Sequence, residues 1–293
     1  MSELDAGRER SGRRPLDLKG RGRMAMIGGV ILATIMLLSL VVPWFTGIDP
    51  NAQRLALRLL PPSLEAREGV VSLFGTDALG RDIMTRVFVG GRYSFAIGLT
   101  AATGALVLGT VVGLVSGYFG GLLDGFLMRI VDLQLAFPLV LLALALVALF
   151  GPSVRNVIIV FIVTSWPIFA RTVRSSTLSL KERAFVEAAV GSGAGTFRIL
   201  TRHVLPNARG PLVVLASFQL ASVMIYEAAL GFLGLGVQPP TPTWGAMIAD
   251  GRQYLDTAWW VIFFPGITLV FAAAAANWLG DGLNHLTDPK EAE

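Results

Sequence analysis

Of 293 residues, 54% are hydrophobic and only 15% charged, with a mean hydropathy of +0.65 and 24 Lys and Arg against 20 Asp and Glu. A soluble domain carries about 25% charged residues, so this chain has more apolar surface than an aqueous fold can hide, and the excess belongs in a bilayer. The absence of cysteine and the presence of only His203 and His285 exclude disulfides and Cys/His zinc sites, and no metal cage is expected. The basic balance would suit nucleic acid, but its arginines sit in short segments between apolar runs. Topology accounts for them, and no nucleic-acid partner is expected.

In chain order, residues 1–23 form a basic tail, of which the polar, Arg- and Gly-rich residues 1–20 are predicted to be disordered. An ionisable group at the bilayer centre costs about 2.5–3.5 kcal/mol, so charge-free runs mark the spans. Met24–Ile48 is the first, 25 residues long; its long basic flank and the lack of a small-x-small site make it a retained helix and not a secretory signal. Tyr93–Leu123, Leu133–Val154 and Thr257–Gly280 run 31, 22 and 24 residues without charge, enough for a ~30 Å core. Asn156–Ala170 and Gly210–Tyr226 are shorter, at 15 and 17 residues, and span if their flanking charges snorkel. The reading is an all-α integral membrane protein of six helices near 24–45, 93–118, 126–150, 153–173, 211–233 and 257–280, with a membrane domain over 24–280 and a tail over 281–293.

Sixteen Lys and Arg fall on the side of the N-terminal tail and eight on the other, which places both termini in the cytoplasm. Three connections are long enough to carry function: 46–92 and 234–256 outside, and 175–210 inside. The phosphate cradle G-x-x-x-x-G-K-[ST] is missing, because Lys19, Lys181 and Lys290 precede Gly or Glu, so ATP chemistry by that route needs another chain. Ion coupling calls for carboxylates near the midplane, yet only Asp132 and Glu227 are available, each near a helix end. Asp132 reads as an i,i+3 partner of Arg129 or as functional, and Glu227 as a capped or water-exposed helix end or as functional.

In the inner connection, Leu180, Ala184, Phe185, Ala188 and Ala189 recur at helical spacing, Gly191, Gly193 and Gly195 break the run, and Phe197, Ile199, Leu200 and Val204 lead to Pro206. That is a helix–turn–helix, suited to docking a soluble partner or to lying on lipid. Here the residues carry a resemblance. Glu187-Ala188-Ala189, three residues, Gly193, nine residues and His203-Val204-Leu205-Pro206 resemble the EAA-x3-G-x9-I-x-L-P signature of the membrane subunits of ABC importers, with His203 at an ordinarily aliphatic position. Gly75-Thr76-Asp77 with Gly80-Arg81-Asp82 is similar to the LGTDxxGRD box of dipeptide and oligopeptide permeases. The runs from Ala229 to Gly234, from Gln238 to Gly245, and Gly280-Asp281-Gly282-Leu283 with Asp288-Pro289 are similar to that branch's other boxes.

The resemblance implies a non-catalytic permease in the cell membrane of a bacterium or archaeon. It further implies a homologous second permease, two ATPases that bind ATP and magnesium, no cofactor in this chain, and delivery by an extracytoplasmic solute-binding protein. Glu187, Ala188, Ala189, Gly193, Leu205 and Pro206 would then couple to the ATPases. Glu187 serves as a polar anchor there, or pairs with Arg183 at i−4. In the outer box, Thr76 or Asp77 is expected to cap an interfacial helix through Leu79, Ile83, Val87 and Phe88, with Asp77 and Arg81 paired at i,i+4; direct solute contact is the other reading. The Pro-rich 238–242 turn leads to Trp244 as an interfacial aromatic. Gly109, Gly113 and Gly117 share one helix face and allow close packing or gating. The cargo is a peptide, or within the same family nickel, glutathione or another small solute; an ion-coupled stand-alone carrier is the reading from another class.

Overall fold

A computed structural model describes residues 18–67 and 70–287. Residues 1–17 of the N-terminal tail and the Asp288-Pro289 ending lie outside the described residues. In chain order the helices are α1 (Leu18–Thr46), α2 (Ile83–Phe119), α3 (Gly121–Leu135), α4 (Leu139–Phe150), α5 (Val154–Lys181), α6 (Ala184–Gly191), α7 (Thr196–Ile199), α8 (Leu205–Phe232), α9 (Trp244–Gly251) and α10 (Trp260–Thr287). Strands β1 (Ala66–Arg67) and β2 (Val70–Val71) form a two-residue antiparallel hairpin in the 47–82 connection. Among the described residues five helical segments are long and apolar enough to cross a membrane, and α3 with α4, bent by 89°, adds a sixth where the pair counts as one span. The end carrying α6 and α7 is called the loop end below, and the end carrying residues 75–82 the box end.

The helices outrun the charge-free stretches. α2 starts at Ile83 and not near 93, because Asp82 caps it by accepting from Thr85 N at 2.8 Å, and because Arg86 and Arg92 inside the helix find oxygens on neighbouring segments. Arg86 donates to Pro50 O at 2.9 Å and Asn51 Oδ1 at 3.2 Å. Arg92 shows why an arginine is tolerated there. Pro43 inside α1 has no N–H for the Ser39 carbonyl four residues back, and Arg92 Nε donates to Ser39 O at 2.8 Å while its Nη2 donates to Leu40 O at 2.7 Å. A buried carbonyl is thus satisfied by the neighbouring helix. α1 itself begins at Leu18, so the end of the basic tail is helical.

The expected helix over 126–150 is two helices. The break at Ala136, Phe137 and Pro138 follows from Pro138, which disfavours helical geometry at Phe137 and cannot donate to Gln134 O. Asp132 does not pair with Arg129: it faces α5, where it holds Arg171. α5 continues past 173 to Lys181, whose Nζ reaches Gly117 O on α2 at 3.4 Å. α8 does not begin at 211. α7, a π-helical turn over Leu200–Val204 and α8 run on as one 37-residue helix, Thr196–Phe232. α10 begins at Trp260 and runs through 280 into the predicted tail.

The α2–α5 seam is built on the glycines read from sequence. A Cβ on Gly109 would lie 2.5 Å from Trp166 O and from Phe169 Cβ, one on Gly113 2.5 Å from Ala170 O, and one on Gly117 2.8 Å from Thr177 Cβ. The backbones touch because no side chain stands between them. At the box end the core gathers Ile83, Val87, Phe95, Trp244 and Trp260; at the loop end it gathers Phe169, Val173, Val186, Ile199 and Val204.

Candidate functional site

At the loop end, α5 stops at Glu182, and α6 follows after Arg183 as a separate helix of eight residues, so the helix expected from Leu180 to Ala189 is split. α6 ends in a Schellman motif: Gly193 N donates to Val190 O at 2.9 Å and Ala194 N to Ala189 O at 3.0 Å. Gly193 sits at φ +81, which an L side chain adopts only with strain, and nothing among the described residues lies within 4 Å of where its Cβ would be. Glycine is therefore set by the turn and leaves an open approach from outside. Val186, Ile199 and Val204 anchor the loop by burying against α5 and α8. The other side stays open: Phe185 is 42% exposed, Val190 53% and Phe197 80%.

Glu187 and Ala188 are exposed and Ala189 half-buried beside this apolar group. Among the described residues Glu187 makes no ion pair, with Arg183 or otherwise. His203 lies half-buried, its ring 6.5 Å from that of Phe185. Leu205 is half-buried and Pro206 exposed; Pro206 lies just after the π-helical turn Leu200–Val204, inside the continuous Thr196–Phe232 helix, and does not end it. The loop offers a short helix, fixed at its base, with a mixed apolar and acidic outer face.

At the opposite end, residues 75–82 form a tight turn in which neither Thr76 nor Asp77 caps a helix. Thr76 Oγ1 accepts from Leu60 N at 2.8 Å and donates to Leu57 O. Asp77 closes the turn on itself: Oδ1 accepts from Leu79 N at 2.8 Å and Arg81 N at 3.0 Å, while Oδ2 accepts from Arg81 Nε at 2.6 Å. Arg86 Nε stands 3.6 Å from the same Oδ2, and Arg81 Nη2 lies 3.8 Å from Asp250 on α9. The expected Asp77–Arg81 pair is present, but it is buried and holds the turn to α2 and α9.

Both glycines of the box are required. Gly80 has φ +71 with Arg54 O 1.8 Å from its would-be Cβ, and Gly75 has φ +78 against Leu60 O and the Trp260 ring. Trp260 Nε1 donates to Thr76 O at 3.2 Å. Burial raises the Asp82 carboxyl above the ordinary aspartate range, against the Thr85 hydrogen bonds and the charge of Arg54. Asp250 is raised by burial against the pull of Arg81 and Arg86. Asp77, Arg81 and Asp82 are at most 8% exposed, so these side chains of the box pack beneath the surface.

Trp244 is not an interfacial aromatic. It is fully buried between α2 and α8, donates Nε1 to Val87 O at 2.8 Å, and meets Phe95 edge-on at 5.5 Å. Glu227 is not a water-exposed helix end: it is 1% exposed, 3.5 Å from Ser94 Oγ, which also accepts from Trp244 N. Sequence reasoning missed Trp244 and Trp260 as locks on the box end; their spacing from Pro240 and Asp256 in polar connections gave no apolar periodicity to follow.

Comparison with known proteins places these features in a family. Residues 105–292 match the family model of binding-protein-dependent transport system inner membrane components, and residues 21–62 match that of the N-terminal TM domain of oligopeptide transport permease C. The chain is 41% identical to the dipeptide transport system permease protein of Alkalihalophilus pseudofirmus over 270 residues, 92% of this chain and 87% of that one. It is 38% identical over 273 residues to a probable D,D-dipeptide transport system permease protein of Escherichia coli, covering 93% and 89%. In fold it is similar to a chain of the MetNI methionine ABC transporter in an inward-facing conformation, with TM-score 0.58, 20% identity, and coverage of 70% of this chain and 98% of that one.

Proposed function

The chain belongs to the family of binding-protein-dependent transport system inner membrane components, and from that premise we propose that it is one of two permease subunits of an importer for di- and oligopeptides. As a multi-pass protein of the bacterial inner membrane it forms part of the translocation pathway, with a homologous permease as its partner. The loop end, N-terminus and C-terminus lie in the cytoplasm and the box end outside. Two ATPase subunits bind ATP and magnesium and dock on α6, where Glu187, Ala188, Ala189 and Gly193 present the contact and Leu205 and Pro206 carry it into α8. A solute-binding protein delivers the cargo to the box end.

The observation that carries this reading is the loop itself. The α6–α7 loop exposes Phe185, Val190 and Phe197 around Glu187, while its opposite side is anchored on α5 and α8. An exposed apolar group of that kind is what a groove on a soluble ATPase would cover, and a rigid base lets the ATPase's rigid-body motion reach the membrane. The peptide cargo comes from the relatives' names. Uptake of a labelled dipeptide into vesicles holding the assembled complex tests both: the account predicts uptake that needs ATP and the solute-binding protein. Uptake that follows an ion gradient without ATP would overturn it, and ATP-driven uptake of a nickel chelate or glutathione with exclusion of dipeptides would replace the cargo.

A further inference from the structure

α5 leads directly into the coupling loop and carries Pro167 in its middle. A proline there has no N–H for the carbonyl four residues back, that of Val163, and leaves a soft point in the helix. Gln134, in the last turn of α3, donates its side-chain Nε2 to Val163 O, filling the acceptor the proline leaves free. Two residues earlier on α3, Asp132 pairs with Arg171, four residues beyond the proline. The last turn of α3 therefore bridges Pro167 from i−4 to i+4.

α3 is suited to this task by how it is held. Among the described residues Val131 is its only buried one, so its grip on α5 is polar. At its other end Arg174 of α5 grips Asp124 with Nε and Nη2, each at 2.6 Å, and Asp124 also accepts from Ser116 of α2. The α2 seam crosses the proline as well: Gly104 meets Ile162 on one side of it, and Gly109, Gly113 and Gly117 meet Phe169, Ala170 and Thr177 on the other. A helix flexing at Pro167 would open that seam. The same repair recurs at Pro43, where Arg92 fills the Ser39 carbonyl.

We infer that Gln134 is a positioning residue for transport: it stiffens α5 across Pro167, so that the coupling loop, α5, α3 and α2 move as one body. The inference rests on the proposed docking of ATPases at α6. The pair of Asp132 and Arg171 is more than half exposed and adds little alone; Gln134 supplies the bond that the backbone lacks.

The test uses the assembled complex in lipid vesicles and reads two quantities: melting temperature, and solute taken up per ATP hydrolysed. Gln134→Leu removes the donor; Pro167→Ala restores the backbone N–H to Val163. Gln134→Leu is expected to lower uptake per ATP about fivefold or more, the low end of ordinary coupling between sites. The double variant Gln134→Leu/Pro167→Ala is expected to regain the wild-type ratio, because an unbroken helix is stiff without Gln134. A Gln134→Leu complex that melts lower but keeps the wild-type ratio would reduce Gln134 to a filler. A double variant that regains its melting temperature but stays uncoupled would show that bending at Pro167 is required, and would overturn the inference; it is also the variant read if Gln134→Leu alone does not assemble. Loss of the ATPases from the wild-type complex would instead sink the docking proposal itself.

Discussion

Asp77→Ala removes the anion that closes the box end. Three hydrogen bonds to the carboxylate are lost, from Leu79 N, Arg81 N and Arg81 Nε, and the Arg86 guanidinium 3.6 Å away loses its neighbour. Arg81 and Arg86 have side chains only 10% and 4% exposed, so their charge cannot turn to water. Removing one partner of a buried pair costs about 3–5 kcal/mol. Arg81 keeps Asp250, and Arg86 keeps Pro50 O and Asn51, which puts the expected loss at the low end, ~3 kcal/mol. At about 2–4 °C per kcal/mol for a domain of this size, the purified complex should melt about 6–12 °C lower. Asp77→Asn keeps the Oδ1 acceptor for both backbone N–H groups but loses the charge and the acceptor for Arg81 Nε, so it should fall between wild type and Asp77→Ala. Melting followed by size-exclusion fluorescence, together with folded yield, measures both. An Asp77→Ala complex with wild-type melting and altered solute preference would refute the structural reading and return the box to a solute-contact role.

Trp244→Ala should cost about 3–5 kcal/mol of complex stability, the usual penalty for emptying a buried indole, while Trp244→Phe loses chiefly the bond to Val87 O, about 1 kcal/mol; equal melting of the two variants would contradict the packing described. Gly113→Val places Cβ 2.5 Å from Ala170 O and should open the α2–α5 seam, costing about 1–3 kcal/mol or more, whereas Gly125→Ala, with nothing within 4 Å, should be harmless in the same melting assay. The Asp82 carboxyl is raised from 3.8 by burial, so its share of stability is present below that value and lost as pH rises through the folded value. Asp82→Asn keeps the cap acceptor and should be at least as stable as wild type at pH 7, with the difference vanishing towards acid; a variant that is less stable at pH 7 and recovers in acid would reverse the sign.

The parts legible from sequence were those fixed by local patterns. Charge-free length marked the spans, the i,i+4 spacing of Gly109, Gly113 and Gly117 marked the seam, and three glycines marked the turn after α6. The parts that were not legible depend on partners distant in sequence. Arg86 and Arg92 looked like charges barring α2 from starting before 93, because carbonyls on the segment 39–51 were not visible as their acceptors. Thr76 looked like a cap until Leu57 and Leu60 claimed its hydroxyl, leaving Asp82 to the helix. The bend at Pro138 was hidden inside an uninterrupted apolar run. Glu227 and Trp244 sit in segments whose flanks looked exposed, and only the fit of residues 243–245 into the α2–α8 groove buries them.

The central claim, that α6 is where separate ATPases seat, is tested most directly by cross-linking from Ala188→Cys in the gently purified complex, with Gly193→Asn and Gly193→Asp made in parallel. Asn tolerates the left-handed conformation at position 193 and keeps the turn, while Asp adds a charge at the open approach. The account predicts an ATPase cross-linked through residue 188, retained with Gly193→Asn and lost with Gly193→Asp, with the melting of the permease pair unchanged. A cross-link that persists in Gly193→Asp at full strength, or one that joins position 188 only to lipid or to the second permease, would contradict it.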